Sequence, residues 1–203
     1  MRRSFTYLCA AILGIAIGGY SALAMSGLLP DDRRTGGSIN LDRWYGDFTM
    51  GSEDASPYFR ARIARHGLLA LANSEAIYFT RAVDDAGEPF RENCKYQISG
   101  GPMPARWWSV TLYNSDNFLP SNTDAALSFD ASRAEAQSTD GQWTAIISPV
   151  KPEGGTSWIS SKAAGNFDLT FRLYVPAHGV LDRPEELINA PVIKRLDCEG
   201  GQT

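Results

Sequence analysis

The sequence predicts a mainly β protein: an antiparallel β-sandwich with a short N-terminal helix, carried behind one transmembrane helix. Three observations predict it. Residues 5–29, FTYLCAAILGIAIGGYSALAMSGLL, carry no charge, and about 25 apolar residues suffice to cross a hydrocarbon core as a helix. From Ala76 onward, short runs rich in β-branched and aromatic residues alternate with turn residues, with no long helical pattern between them. Two of those runs, in 107–113 and 167–175, alternate apolar and polar residues along their whole length, the period of a half-buried strand.

The N-terminal segment sets the compartment. Arg2 and Arg3 precede the apolar run, and basic residues stay on the cytoplasmic side, so the chain beyond Leu29 is expected across the membrane. Two other readings stay open. Ala22-Leu23-Ala24 matches a small-residue cleavage site that would release a soluble protein starting at Met25, although the run outlasts a signal core of about 7–15 residues. Arg2-Arg3-Ser4-Phe5 also resembles a twin-arginine export signal. The expected organisation is a stub (1–4), an anchor helix (5–29), a linker (30–51) and one domain (52–203), since about 150 residues make one core and not two.

The linker reading rests on Asp31, Asp32, Arg33, Arg34 and Gly36-Gly37-Ser38, a composition too polar to bury a core. Trp44 and Tyr45 interrupt it, either docked on the domain or near lipid headgroups. Ser56-Pro57 reads as an N-cap followed by proline at the first helical position. Phe59, Ile63, Leu68 and Leu71 then fall on one face of a helix expected over 57–72. Strands are expected at 76–83, 95–99, 107–113, 143–148, 167–175 and 192–196, punctuated by Asp84–Gly87, Gly100-Gly101-Pro102, Asn114–Asn117 and Glu153-Gly154-Gly155.

Bulk composition narrows the function. The chain is 43% hydrophobic and 21% charged, with a net charge of −4 and a pI near 5.2, which argues against nucleic acid as a partner. Cys9 lies in the apolar segment. Cys94 and Cys198 are then an even pair in a compartment where disulfides persist, and a bridge between them is expected.

Catalytic motifs are thin. His66 and His178 stand far apart, and no His, Cys or carboxylate cluster has metal-ligand spacing. No metal or other cofactor is expected. Ser148-Pro-Val-Lys151 matches Ser-x-x-Lys but ends a strand instead of opening a helix. Gly155-Thr-Ser-Trp-Ile159 lacks the final glycine of a nucleophile elbow. Asn114-Ser-Asp-Asn117 offers one carboxylate, and a turn with Asn117 at positive φ explains it better than a cation site.

In 107–113, Trp108, Val110 and Leu112 point to one side and Trp107, Ser109, Thr111 and Tyr113 to the other. In 167–175, Phe167, Leu169, Phe171, Leu173 and Val175 form the apolar face, opposed by Asp168, Thr170, Arg172 and Tyr174. If the strands are neighbours, their polar sides join into one face. Trp107, Thr111, Tyr113, Asp168, Arg172 and Tyr174 are the candidate ligand residues on it, because rings beside hydrogen-bonding groups suit a polar organic ligand. A solvated face with stabilising cross-strand pairs has the same pattern.

Cys94-x-Tyr96, the run PARWWSVTLY over 104–113, Asp116-x-Phe118-Leu119, Asp140-Gly141, Trp158 and Phe167-x-Leu-Thr-Phe-Arg-Leu-Tyr174 resemble the bacterial domain-of-unknown-function family numbered 1214. The resemblance covers about residues 52–198. Gly51-Ser52 through Pro57-Tyr58 resembles its short, membrane-anchored members. It implies a jelly-roll-like sandwich, and it supplies no catalytic residues. Asn114 and Asn117 stand where relatives often carry Asp and Gly. Longer relatives place this domain behind another, numbered 1254, so a separate 1254-type protein is the implied partner.

The expected function is therefore a non-catalytic ligand- or partner-binding domain in the periplasm, tethered to the inner membrane by one helix. The alternative is an envelope enzyme, hydrolase-like, acting on a carbohydrate or lipid-linked substrate. In that case Arg172 would fix an anionic group, Tyr174 or Tyr113 would donate a proton, and Asp168 would assist.

Overall fold

The computed structural model describes residues 2–26, 38–53, 55–65, 71–137 and 140–199. Helix α1 spans Arg2–Met25. Its stretch Phe5–Met25 is long and apolar enough to cross a membrane, with none of it buried against the protein, a property that an anchor and a signal sequence share.

The rest of the described chain is a mainly β sandwich. The first sheet has six strands in the order β1-β2-β3-β9-β5-β6. They are β1 (Ile39–Leu41), β2 (Trp44–Gly46), β3 (Ala76–Arg81), β5 (Ala105–Asn114), β6 (Ser128–Asp130) and β9 (Phe167–Pro176). The second has four, in the order β10-β4-β7-β8: β4 (Cys94–Gly100), β7 (Trp143–Ser148), β8 (Trp158–Ser160) and β10 (Val192–Cys198). All pairs are antiparallel except β7 with β8, so the second sheet is mixed. Short helices α2 (Pro57–Arg65), α3 (Ala131–Glu135) and α4 (Pro184–Leu187) complete the described elements.

The core lies between the sheets and is built from the alternation. Trp108, Val110 and Leu112 of β5, with Leu169, Phe171 and Leu173 of β9, face Tyr96 and Ile98 of β4, Ala145 and Ile147 of β7 and Ile193 of β10. Its centre is aromatic. Trp108 stacks on Trp143 across the two sheets at 4.6 Å between centroids, and Phe90 stacks on Phe167 at 5.3 Å, a geometry worth about 0.5–1.5 kcal/mol per pair beyond the area buried.

Three features differ from expectation. Residues 39–46, read as linker, form a hairpin that extends the first sheet, and Trp44 is fully buried. Its indole N–H donates to Pro191 O at 2.8 Å, so one large aromatic docks a segment whose average composition is polar. Gly46 lets that hairpin approach: a Cβ there would stand 2.6 Å from the Phe79 ring. Val175 leaves the apolar face, 52% exposed at φ +50°, because its N–H turns to Glu75 O and breaks the alternation one residue before the strand ends. Helix α2 is described over Pro57–Arg65, and Leu71 and Ala72 of the expected 57–72 are not helical; Leu68 lies outside the described residues. Its cap is as expected, with Phe59 N–H donating to Ser56 Oγ at 3.2 Å.

One corner of the sandwich holds buried charge. Arg81 occupies a core-facing position of β3 and is 1% exposed. Its guanidinium donates to Val83 O at 2.7 Å, to Asp85 Oδ1 at 2.6 Å and to Pro191 O at 3.5 Å, and it lies 5.9 Å from the Trp44 ring centre. Asp85 in turn accepts from Ile193 N–H, and its own N–H donates to Ile193 O. The buried carboxylate of Asp84 takes the N–H groups of Ala86 and Glu88 on Oδ1. Its Oδ2 lies 2.7 Å from Arg195 Nη2, an ion contact off the hydrogen-bond direction. The knot joins β2, β3 and β10, and with them the two sheets.

Cys94 and Cys198 oppose one another on β4 and β10 and form a disulfide, with Cα atoms 3.9 Å apart. The pairing expected from compartment and parity is therefore present. It closes a sequence separation of 104 residues, a loop whose closure in the chain-entropy model stabilises by about 4–5 kcal/mol.

Three outcomes follow from this core. Cys94→Ser lowers the melting temperature and opens the segment after Val192 to proteolysis, while both wild-type thiols alkylate only after reduction. Arg81→Met leaves Asp85 without its cation and costs about 3 kcal/mol in urea unfolding. Burial pushes the Tyr96 phenol above its usual 10.0, outweighing the bond it accepts from Arg91 N–H. A raised native value means stability fully present below about pH 10 and lost as pH rises through it. The unfolding midpoint therefore drops at alkaline pH, and less steeply in Tyr96→Phe.

Candidate functional site

β5 and β9 are neighbours, antiparallel, in register along Asn114–Phe167 to Ala105–Pro176. Residues directly opposite in such a ladder share a face. Trp107 opposes Tyr174, Ser109 opposes Arg172, Thr111 opposes Thr170 and Tyr113 opposes Asp168. All six candidate residues, Trp107, Thr111, Tyr113, Asp168, Arg172 and Tyr174, therefore lie on the outer face of the first sheet. β3 widens it, with Tyr78 opposite Arg172 and Thr80 opposite Thr170.

The face is not an open polar lawn. Tyr113 stands two rows from Arg172 along β9, yet Arg172 Nη2 donates to its hydroxyl at 2.8 Å. The arginine thus leans back over the threonine row, which leaves Thr170 and Asp168 each only 4% exposed. Its guanidinium carbon lies 5.4 Å from the Tyr113 ring centre and 5.8 Å from that of Tyr78, a cation held between two rings. Tyr78 is itself fixed, its hydroxyl accepting from Leu71 N–H at 3.3 Å. Beside this centre, Trp107 and Tyr174 pack at 5.3 Å between centroids, with Trp107 at the rim and 37% exposed.

Chemically the face offers rings, hydroxyls and one guanidinium. Arg172 donates one N–H to the Tyr113 hydroxyl, and Asp168 lies beneath them, 4% exposed. The residue that the sequence reading missed is Tyr78 at the centre; Ser109 was placed on this face but not among the candidates. Alternation within β3, where Ile77 and Phe79 face the core, was the signal that would have placed Tyr78.

The remaining sequence candidates are dispersed. His178 is exposed, and His66 lies outside the described residues. Ser148 Oγ donates to Val150 O at 2.7 Å and so closes the end of its strand. Asn117 has φ +65°, and Asn114 Oδ1 accepts from the N–H groups of Asp116 and Phe118, the turn expected there. Among the described residues no group of three or more His, Cys, Asp or Glu is placed to hold a metal.

Comparison with known proteins agrees with this architecture. The VPA0106 protein of Vibrio parahaemolyticus shares the fold, with TM-score 0.58 and 21% identity over 94% of this chain and 45% of that one. A crystal structure of an uncharacterised Burkholderia cenocepacia protein matches at TM-score 0.38 and 20% identity, over 64% of this chain and 31% of that one. The chain thus spans less than half the length of either. No curated protein matches it. The family model described as "Protein of unknown function (DUF1214)" matches residues 75–178, from the start of β3 through the end of β9, the strands that build both the core and the aromatic face. The chain belongs to that family.

Proposed function

We propose that the domain is a non-catalytic binding module, tethered by α1 at the outer face of the inner membrane, and that the outer face of its six-stranded sheet receives the ligand or partner. The observation that carries this reading is the Arg172 guanidinium between Tyr78 and Tyr113, flanked by the Trp107–Tyr174 pair. Rings and a guanidinium on rigid strands give contact area and directional bonds at little entropic cost, the composition found at the anchors of binding surfaces. The bond from Arg172 to the Tyr113 hydroxyl holds both side chains in place on the sheet, which supports a rigid binding surface.

The disulfide fits an oxidising compartment, and the apolar helix fits an anchor. More than half of the Vibrio chain lies outside the matched region, so this domain in that protein works beside further structure. Here the partner is a separate protein of the 1254 type.

Two measurements test the reading. In spheroplasts the full chain stays with membranes after an alkaline carbonate wash, and added protease digests the domain; a soluble, released domain overturns the anchor. In a host encoding a 1254-type protein, mild crosslinking captures that protein on the wild-type chain. Capture falls several-fold with Trp107→Ala and with Arg172→Gln. No capture by the wild type, or equal capture by both variants, sinks the partner assignment.

A further inference from the structure

A second site lies away from this face, where the free edges of the two sheets meet. Ser160 of β8 donates its N–H to Ala126 O at 2.6 Å just before β6, and beside that junction opens a cleft of ≈ 700 Å³. Its walls come from the loop before β6, from α3, from the β7–β8 connection and from β8 with the turn after it, and they include Asp124, Arg133, Lys151, Trp158 and Lys162. Three of those five are cations, in a chain whose net charge is −4.

The one carboxylate among them is engaged: Asp124 Oδ2 accepts from Ser160 Oγ at 2.7 Å. The backbone beneath the cations is fixed. Lys162 N–H donates to Ser160 Oγ, and Lys162 O accepts from Asn122 Nδ2 at 2.7 Å. Arg133 uses Nη1 on Ser128 O at 2.9 Å, which holds the guanidinium in place and leaves its other N–H groups. Trp158 has its indole N–H on Ser148 O at 2.9 Å, so it offers a ligand ring surface and no hydrogen bond. Gly155, at φ +73°, turns the connection over the cleft, and a Cβ there would meet open space.

From this arrangement we infer that the cleft binds a small anionic carbohydrate. Its ring lies against Trp158, and its carboxylate or phosphate is held by Lys151, Lys162 and Arg133. The pairing of charge-assisted bonds with an aromatic wall selects for both parts of such a ligand. Exposed lysines make the binding weaken with salt.

The test uses the full chain in mild detergent, titrated at low ionic strength with glucuronate and with glucose 1-phosphate, and followed by calorimetry. Glucose and inorganic phosphate are the controls. At least one anionic sugar binds saturably, and the two arms tell a uronate from a sugar phosphate. The Lys151→Gln/Lys162→Gln double variant, folded by circular dichroism, weakens binding by about tenfold, as the loss of charge-assisted bonds requires. Arg172→Gln leaves it unchanged, which separates this cleft from the sheet face. The inference is overturned if neither anionic sugar binds below about 10 mM, or if the double variant binds as the wild type does. Glucose or inorganic phosphate binding as tightly as the anionic sugar overturns it equally.

Discussion

A full positive charge inside a β-sandwich has to be met on every side, and the position of Arg81 organises much of the molecule around that requirement. The groups that meet it come from widely separated parts of the chain: a carbonyl and a carboxylate in the turn just after its own strand, a carbonyl at the start of β10, and the ring of Trp44. Satisfying all of them fixes where β10 lies on β4 and where the β1–β2 hairpin lies on β3. Asp85 then locks the register of β10 through both backbone groups of Ile193. A buried ion of this kind contributes little net stability compared with apolar packing, but it penalises any other arrangement of its neighbours.

The same register determines the outer face. Side chains alternate along a strand with a period of two, so a slip of one residue would exchange core and surface. Leu169, Phe171 and Leu173 have to point inward to fill the space against Tyr96, Ile98 and Ile147. Asp168, Thr170, Arg172 and Tyr174 are thereby forced outward, opposite their partners on β5. The aromatic face is in this sense a by-product of the core, held with the core's precision. What the core does not dictate is the lean of Arg172 toward Tyr113, which depends on two tyrosines standing at the right height on neighbouring strands.

Those relations explain what was readable in the sequence. β5 and β9 were legible because each carries a long alternating run, and the family resemblance rested on the same residues. The disulfide was legible from compartment and parity. The β1–β2 hairpin was not, since three-residue strands are too short to show a period and Trp44 sits among polar neighbours. β6 and β8 escaped for the same reason of length. Arg81 was hidden inside a run read as a plain strand, although it shares the parity of Ile77 and Phe79 and so occupies a core-facing position. The cleft beside Trp158 left no trace at all, because its walls are drawn from loops and strand ends that only the meeting of two sheet edges brings together.

The long reach of the Arg81 corner has a temporal consequence. Trp44 and Arg81 both bond to Pro191, at sequence separations of 147 and 110. A chain delivered from its N-terminus presents the indole and the guanidinium long before the carbonyl that receives them. Until β10 arrives, the early hairpin has nothing to rest on at that corner, and the charge of Arg81 stays in water. Closure of that corner consequently waits for the end of the chain, in keeping with slow folding when the decisive contacts are distant in sequence. Under the export proposed above, such lateness is an advantage, since the segment already made remains loose enough to pass.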